Sequence, residues 1–375
     1  MKNNNKNKKT DKKKTSKARK VWRAAGIAVG VILLAVVVYL CYVLFSYSRI
    51  EDKIPLEVNG KGVSEKAEIG KEYTAFSNNV GFGAYTPDFT FFLDGGKESW
   101  AESKSSVIRC INLAAEKAES FDPDFILLQE VDTDSTRSYH IDQAKQFTDY
   151  FTSYSSVFAV NYHSAFLMYP IFEPHGSSNS GILTLSRITP ASSLRRSLKI
   201  SDSLSKLLDL DRCYSVSRIP TDDGKELVLY NVHLSAYGGS DEIRTSQMSM
   251  LFGDMQSEYE KGNYCVCGGD FNHDFTGTSV AALNGEGTEP FGWTQPFPSE
   301  LLPKNVSRAI DYTSGTEEPT CRNCDVPYKK GNFTVIVDGF LVTDNVKVTY
   351  VENVQTEFEY SDHNPVVIKF ILGNE

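Results

Sequence analysis

The chain has 375 residues and a formal net charge of −9, a modest figure that conceals two opposed regions. Met1 to Arg23 holds eleven Lys and Arg against one Asp, and the remainder holds 28 basic and 47 acidic residues, so a +10 tail precedes a −19 body. A body this acidic offers no obvious stripe of Lys and Arg of the kind that binds nucleic acid by phosphate neutralisation, although metals and local patches can suffice. Beyond the tail the sequence is not of low complexity and shows no internal repeat of the solenoid kind, which argues against a disordered or repeat protein.

In chain order, Ala24 to Ser48 has no charged residue, and Gly26 to Leu40 is almost wholly apolar. At ~1.5 Å per residue such a stretch crosses the ~30 Å hydrocarbon layer as a helix. It exceeds the usual apolar length of a cleavable signal, and no small-x-small site precedes Arg49, so an uncleaved anchor over 24–48 is expected. With the positive charge on its amino side, tail 1–23 is expected in the cytoplasm and everything after Arg49 outside, a single-pass type II arrangement in the cell membrane. The tail then serves as topology signal and contacts anionic lipid. Gly26 and Gly30 have the spacing that pairs some membrane helices.

Residues 49–72 are polar and charged, and fit a linker or a short first hairpin. A domain over 73–372 follows. Its expected strands are Tyr73 to Val80, Phe125 to Gln129, Val157 to Asn161, Gly181 to Ser186, Tyr214 to Ile219, Leu227 to Leu234, Tyr264 to Gly268, Val335 to Val342, Val346 to Val351 and Val366 to Ile371. A turn at Asp222-Asp223-Gly224 joins two of them. Helices are expected over Glu98 to Ser120, where Val107, Ile111, Ala114 and Ala118 recur at helical spacing, over Ile141 to Tyr154, and over Asp241 to Lys261 between a Ser240 cap and a Gly262 stop. Helices scattered among some ten strands predict an α/β domain of two packed sheets flanked by helices. The run His163 to Gly176 is apolar enough to touch a lipid or stack on a base, and is read by preference as a buried strand.

Of seven cysteines, Cys41 lies in the apolar span and Cys110, Cys213, Cys265, Cys267, Cys321 and Cys324 lie beyond it. An even number in an oxidising space permits disulfides, and Cys321 and Cys324 have the spacing of a small closed loop. Cys265 and Cys267 alternate along a strand and do not form the second knuckle a zinc site needs. Buried free thiols are the other reading.

Polar residues punctuate the ends of the apolar runs: Asn78-Asn79, Gln129-Glu130, Asn231-Val232-His233, Gly269-Asp270-Phe271-Asn272, Val337-Asp338 and Ser361-Asp362-His363-Asn364. In layered α/β folds functional groups sit where strands stop, and a site built from oxygens and imidazoles suits a hard cation and phosphate-ester hydrolysis. Asp270 and Asn272 are two apart, so an extended segment places both on one face. Taken singly, a histidine on an apolar strand such as His233 is more often a satisfied core residue, and Asn78 or Asn79 an ordinary turn asparagine.

As an ordered set these segments resemble the endonuclease/exonuclease/phosphatase superfamily, over about Tyr73 to Leu372. The resemblance implies a four-layer α/β/β/α sandwich of the deoxyribonuclease I type, with its site at one end of two sheets, behind the N-terminal transmembrane helix. It implies that Glu130, Asn79 through its side-chain carbonyl, and Asp362 hold Mg²⁺, with Mn²⁺ or Ca²⁺ as other choices. Asp270, Asn272, His233, His363 and Asp338 would carry catalysis: Asp270 moving a proton, Asn272 and His233 bonding phosphate, and Asp338 fixing the tautomer of His363. Arg137 matches a family basic residue more loosely. Gly268 and Gly269 would let backbone approach closely.

The reaction so implied is in-line attack of water on a phosphodiester or phosphomonoester of nucleic acid, a lipid headgroup or a small phosphoester; nuclease and sphingomyelinase-like lipid phosphodiesterase stay open. A catalytically silent surface binding or scaffold protein on the same fold is the alternative from another class.

Overall fold

The structure is a computed structural model, and it describes residues 4–201, 211–236, 241–310 and 317–373. Two compact units divide at Ser48. The first is a single helix, Asn4–Ser46, so the basic tail and the apolar span form one continuous element. Its Lys17–Ser46 portion is long and apolar enough to cross a membrane.

The second unit holds two seven-stranded sheets. The first runs Ile54–Leu56, Ser192–Ser197, Cys213–Pro220, Glu226–His233, Tyr264–Asp270, Asp338–Thr343, Val306–Ala309; the second runs Val346–Asn353, Val366–Leu372, Glu72–Asn79, Phe125–Asp132, Gly176–Ser186, Ser155–Leu167, Val58–Asn59. Each has one parallel pair near its middle, Glu226–His233 with Tyr264–Asp270 and Glu72–Asn79 with Phe125–Asp132, and the other pairings are antiparallel.

Three apolar clusters make the layering. Ala75, Phe125 and Leu127 of one sheet meet Leu229, Val266 and Phe340 of the other in the central seam. Helix Lys104–Glu119 buries Val107, Ile111, Ala114 and Ala118 against Phe76, Ile126 and Leu128. Met248, Leu251, Phe252 and Met255 of helix Asp241–Glu260 cover Val228, Tyr230 and Cys265 on the opposite side. Alternate residues of a strand point to opposite faces, so Ile126/Leu128 and Phe125/Leu127 serve two different cores. The expected α/β/β/α sandwich is the fold observed.

Several boundaries differ from expectation for local reasons. The second helix begins at Lys104 rather than Glu98, because the Ser103 side chain accepts from Ser106 N and caps it there. The third covers only Gln143–Tyr150, opened by an Asp142 cap. Ser240 lies outside the described residues, while Gly262, at φ 84°, follows the helix end as expected. The Asp222-Asp223-Gly224 hairpin is present, with Thr221 N donating to Lys225 O at 2.9 Å.

Residues 49–72, read as linker or hairpin, instead contribute an edge strand to each sheet: Ile54–Leu56 pairs Ser193 to Arg195, and Val58–Asn59 pairs Ser156 to Val157. Strands this short show no usable alternation. The buried-strand reading of His163 to Gly176 also fails. The strand stops at Leu167, and Met168, Tyr169, Ile171 and Phe172 stand exposed in the loop beyond. All seven cysteines are free thiols, six of them buried, so Cys321 and Cys324 form no disulfide.

Candidate active site

Both parallel pairs end on the same side of the sandwich, and their register assembles the site. Asp270 is paired with His233 on one side and with Asp338 on the other. In the second sheet Asn79 is paired with Gln129. Glu130 then interrupts the ladder: it sits in a bulge between Leu128 and Val131 with φ 53°. A left-handed glutamate is uncommon and costs energy, so surrounding packing must enforce it, and the effect is to aim the carboxylate off the strand. Its side chain is 24% exposed, whereas Asp270 is buried. Asn272, at φ 51°, adopts the same region more easily, since a short polar side chain tolerates it.

The turn carrying Asp362 and His363 is tied to the second sheet. Ser361 Oγ donates to Asn79 O at 2.7 Å, His363 N donates to Ser361 Oγ at 3.1 Å, and Asn78 Nδ2 donates to Asn79 O at 2.9 Å. Asn78 Nδ2 also reaches His363 O at 3.4 Å and so braces this turn, while Asn79 is the residue that faces the carboxylates. Beneath the site, Gln129 Nε2 donates to Asn231 Oδ1 at 2.8 Å, and Asn231 Nδ2 donates to Leu183 O at 3.1 Å, a buried polar clamp between the sheets. Buried polar groups engaged in this way favour one arrangement of the layers.

Around Asp270 the geometry is dense. Oδ1 accepts from Asn272 N at 2.9 Å; Oδ2 accepts from Asn79 Nδ2 at 3.1 Å and Asn272 Nδ2 at 3.2 Å. His233 Nε2 lies 3.5 Å and His363 Nε2 lies 3.9 Å from the same Oδ2. His363 Nδ1 is 2.8 Å from Asp338 Oδ2, and Cys321 Sγ lies 3.5 Å from His363 Nε2. His233 Nδ1 faces Asn161 Nδ2 at 3.5 Å, and its Nε2 lies 3.8 Å from Glu130 Oε1. Because Asn161 Nδ2 is a donor, His233 Nδ1 accepts and Nε2 carries the proton.

Charge is set unequally. Burial foremost, with Asp338 beside it and against the pull of His363, pushes Asp270 up to about 6. Burial again, with Glu130 nearby and opposed by His363 and Arg322, pushes Asp362 up to about 7. Burial depresses His233 well below the ordinary imidazole value, helped by Arg212, His363 and Arg137. For His363 burial acts in the same sense, but Asp338, Cys321, Asp270 and Asp362 outweigh it and hold the imidazole well above its usual range. Burial thus favours the neutral form of His233, and the surrounding acids favour the cationic form of His363.

All eight residues expected at the site reach this end of the fold. Two roles differ in detail. Asn79 spends its Oδ1 on Gly81 N at 3.0 Å and turns its Nδ2 toward Asp270 and, at 3.4 Å, Glu130 Oε1, so here it positions carboxylates rather than offering a carbonyl oxygen. Asn272, expected to bond phosphate, turns its Nδ2 to Leu234 O at 2.8 Å and Asp270 Oδ2 at 3.2 Å. The glycines before Asp270 allow the close approach expected of them: a Cβ on Gly269 would lie 2.1 Å from Val232 O, and one on Gly268 would lie 2.3 Å from the Phe340 ring. Arg137 donates to both oxygens of Asp132, at 3.1 and 2.9 Å, and lies against the Phe82 ring at 3.8 Å.

A cavity of about 320 Å³ opens over these groups. Asn161, Arg212, Trp293 and Arg322 line it and were not singled out in the sequence, and Cys321, considered there only for a small closed loop with Cys324, lines it too. They come from segments without a strand-end motif, and Cys321 reaches His363 only through a bridge between two loops. Among the described residues the tightest group of ligand-type atoms is Asp270, Asp338 and His363. Two of these are already hydrogen-bonded to each other, so their closeness reflects a proton-sharing pair as much as a cation pocket. Asp362 and Glu130 are the carboxylates not so engaged with a histidine ring nitrogen at hydrogen-bonding distance.

A two-sheet sandwich with acids and imidazoles at one end of its parallel strand pairs defines the class of layered α/β phosphoesterases. The family model described as Endonuclease/Exonuclease/phosphatase family matches residues 79–363, from the first site asparagine to the last site histidine, and the chain belongs to that family. Its members are phosphoesterases and nucleases. An endonuclease/exonuclease/phosphatase from Beutenbergia cavernae is similar in structure at 16% identity, covering 81% of this chain and 72% of that one with a TM-score of 0.52. ANGEL2, a 2′,3′-cyclic phosphatase solved with adenosine-2′,3′-vanadate, is similar at 15% identity over 86% and 99% of the two chains, TM-score 0.53. The human Nocturnin catalytic domain with bound sulfate follows at 16%, 84% and 97%, TM-score 0.50. No curated protein matches the sequence.

Proposed function

We propose that the protein is a membrane-anchored, extracytoplasmic, divalent-metal-dependent phosphoesterase that cleaves its substrate by in-line attack of water. The observation that carries this reading is the convergence on Asp270 Oδ2 of Asn79, Asn272, His233 and His363, with Asp338 behind the last.

The donor set fits a hard cation. Asp270 and the partly buried Asp362 have raised pKa values, chiefly through desolvation, with Asp338 or Glu130 beside them and only partial relief from His363, and a cation would favour the charged form of both. Glu130 and Asp362 would hold Mg²⁺, or Mn²⁺ or Ca²⁺, with Asn79 bracing Glu130; the ion would neutralise phosphate oxygen charge.

The chain's own residues supply the rest. Asp270, oriented by three N–H donors, accepts the proton of the attacking water. His363, cationic and steered by Asp338, donates a hydrogen bond from Nε2 to a phosphoryl oxygen, and His233 donates from its neutral Nε2. Asn272 orients Asp270 through both its backbone and side-chain N–H. Apolar walls from Phe82, Tyr85, Phe91, Tyr162 and Trp293 suit a substrate with a planar or apolar portion beside its phosphate.

The anchor is the apolar stretch from residue 24 within Lys17–Ser46, with the basic tail 1–23 in the cytoplasm by the positive-inside rule. The test is hydrolysis of bis-p-nitrophenyl phosphate by the detergent-solubilised full chain with and without Mg²⁺. A panel of plasmid DNA, RNA, a nucleoside 2′,3′-cyclic phosphate, sphingomyelin and inositol phosphates then separates nuclease, cyclic phosphatase and lipid phosphodiesterase. No turnover on the whole panel, with no cation uptake by calorimetry, would leave a binding protein on this fold. Protease protection in sealed vesicles tests the topology.

A further inference from the structure

The loop between strands Ser155–Leu167 and Gly176–Ser186 carries the densest group of exposed apolar side chains among the described residues of the catalytic unit. Met168 is 52%, Tyr169 69%, Ile171 76% and Phe172 102% exposed. A contiguous apolar patch of this kind marks an interaction surface. One acid, Glu173, is exposed at its edge, and its Oε2 is engaged by the base of the loop, accepting from Ser99 N at 3.2 Å. The base of the loop is braced, with Trp100 Nε1 donating to Pro174 O at 2.6 Å and His175 N donating to Tyr169 O at 3.1 Å. The tip is therefore a built apolar prong.

We propose that this prong docks the catalytic unit onto the surface of the phospholipid bilayer that holds the anchor helix, a proposal that rests on the membrane-anchored reading above. Its position in the unit selects the bilayer. The first residues of the unit lie beside the strand that ends in the prong: Arg49 pairs with Asp211, Ile50 N donates to Asp211 Oδ2 at 2.7 Å, and His163 Nε2 is 3.8 Å from the same oxygen. Arg195 stitches the same seam, donating to Val160 O at 2.9 Å and Glu51 O at 3.3 Å. The apolar helix ends at Ser46, so at ~3.5 Å per residue the join to Arg49 spans roughly 10 Å, and His163 to Phe172 roughly 30 Å at full extension. In the anchored reading these maximum lengths keep the bilayer within some tens of ångströms of the prong, a tether that no soluble partner has. The run Met168 to Phe172 holds no charged residue, and its aromatic and aliphatic side chains are of the kind that settles at a lipid–water interface, Tyr169 included.

Docking also has a direction. The Tyr169 ring packs 5.8 Å from that of Phe92, and the adjoining Phe91, Leu93 and His175 line the catalytic cavity. A docked prong thus brings the cavity mouth to the interface.

The experiment uses the full chain with Phe172→Trp, reconstituted in phosphatidylcholine vesicles with or without dibrominated acyl chains, against the background of Trp22, Trp100 and Trp293 in the unsubstituted protein. The added fluorescence is expected to fall at least twofold with brominated lipid and to resist aqueous iodide. Quenching by iodide and not by bromolipid overturns the proposal. Resistance to both quenchers, varying with protein-to-lipid ratio, overturns it in favour of contact with a second copy. If the chain does not float with vesicles at all, the anchored reading fails and takes this proposal with it; if it floats and the introduced indole stays in water, only the docking fails. Ile171→Ser with Phe172→Ser should leave hydrolysis of soluble bis-p-nitrophenyl phosphate unchanged within twofold.

Discussion

The two strand ends that face each other across the site are built on opposite plans. Tyr264–Asp270 runs to its last residue in register, flanked by His233 and Asp338, and its acid is buried and held by three N–H donors. Phe125–Asp132 breaks register just before its end, and its left-handed Glu130 swings out toward the open cavity. A regular ladder fixes an acid that must handle a proton at one stated place, whereas a bulge releases an acid that must meet something arriving from solvent.

This contrast is broken most directly at the regular end. Asp270→Ala and His363→Ala should each lower kcat by about 10³-fold or more, since both the proton acceptor and the charged donor are lost, with far-UV circular dichroism unchanged. Phosphodiesterase activity within tenfold of the parent in either variant would show that Asp270 and His363 do not do this work.

At the bulged end the expected loss differs in kind. Glu130→Gln should weaken divalent-cation binding by calorimetry and cut turnover by about 10²-fold, partly recovered by excess cation. Asp270→Ala should show no such recovery. Identical cation affinity in Glu130→Gln and the parent would remove the distinction between the two ends.

Asp338→Asn tests the third element of the regular end. It keeps the shape beside His363 but removes the charge that holds the imidazole protonated, and a loss of about 10- to 100-fold is expected, with the optimum displaced in a pH–rate profile. An unshifted profile would show that Asp338 only fills space.

The regularity itself can be probed through stability. Gly269 has φ 146°, and an added Cβ would meet Val232 O at 2.1 Å, so Gly269→Ala should destabilise by roughly 2–4 kcal/mol in urea unfolding. A loss under ~0.5 kcal/mol would mean the strand ends yield easily, contrary to the plan described.

The smallest effect lies away from the site, on the helix covering the first sheet. Burial raises the Glu258 carboxyl, but hydrogen bonds from Arg218, Lys261 and Asn263 outweigh it and bring the pKa from 4.5 down to about 2. A depressed carboxylate stabilises the fold above its unfolded value, so that contribution is full above pH 4.5 and lost as pH falls toward about 2. Glu258→Gln should flatten this limb of the urea midpoint against pH, and an unchanged limb would assign the acid sensitivity elsewhere.

Most strands of the sandwich were legible because their apolar runs are long and end in polar punctuation; Phe125 to Leu128 and Val366 to Ile371 are examples. The edge strands Ile54–Leu56 and Val306–Ala309, and Ser192–Ser197 next to the first of them, were not, since they are short or polar and their pairing is decided by the neighbouring strand. The apolar segment after Leu167 misled because hydrophobicity reports a preference for leaving water and does not say what will receive it.

By itself the amino-acid order determined the family, the layered α/β class, an N-terminal helix able to cross a bilayer, and which eight polar residues end strands or turns at the site. Those properties are local: they depend on patterns a few residues long. Only the tertiary structure decided that Glu130 stands in a bulge, that Asn79 donates where a carbonyl was expected, that the two histidines are pushed in opposite directions, and that Asn161 and Cys321 touch them. Such features follow from burial and from charges brought together across the sheets, and neither exists until the chain has folded.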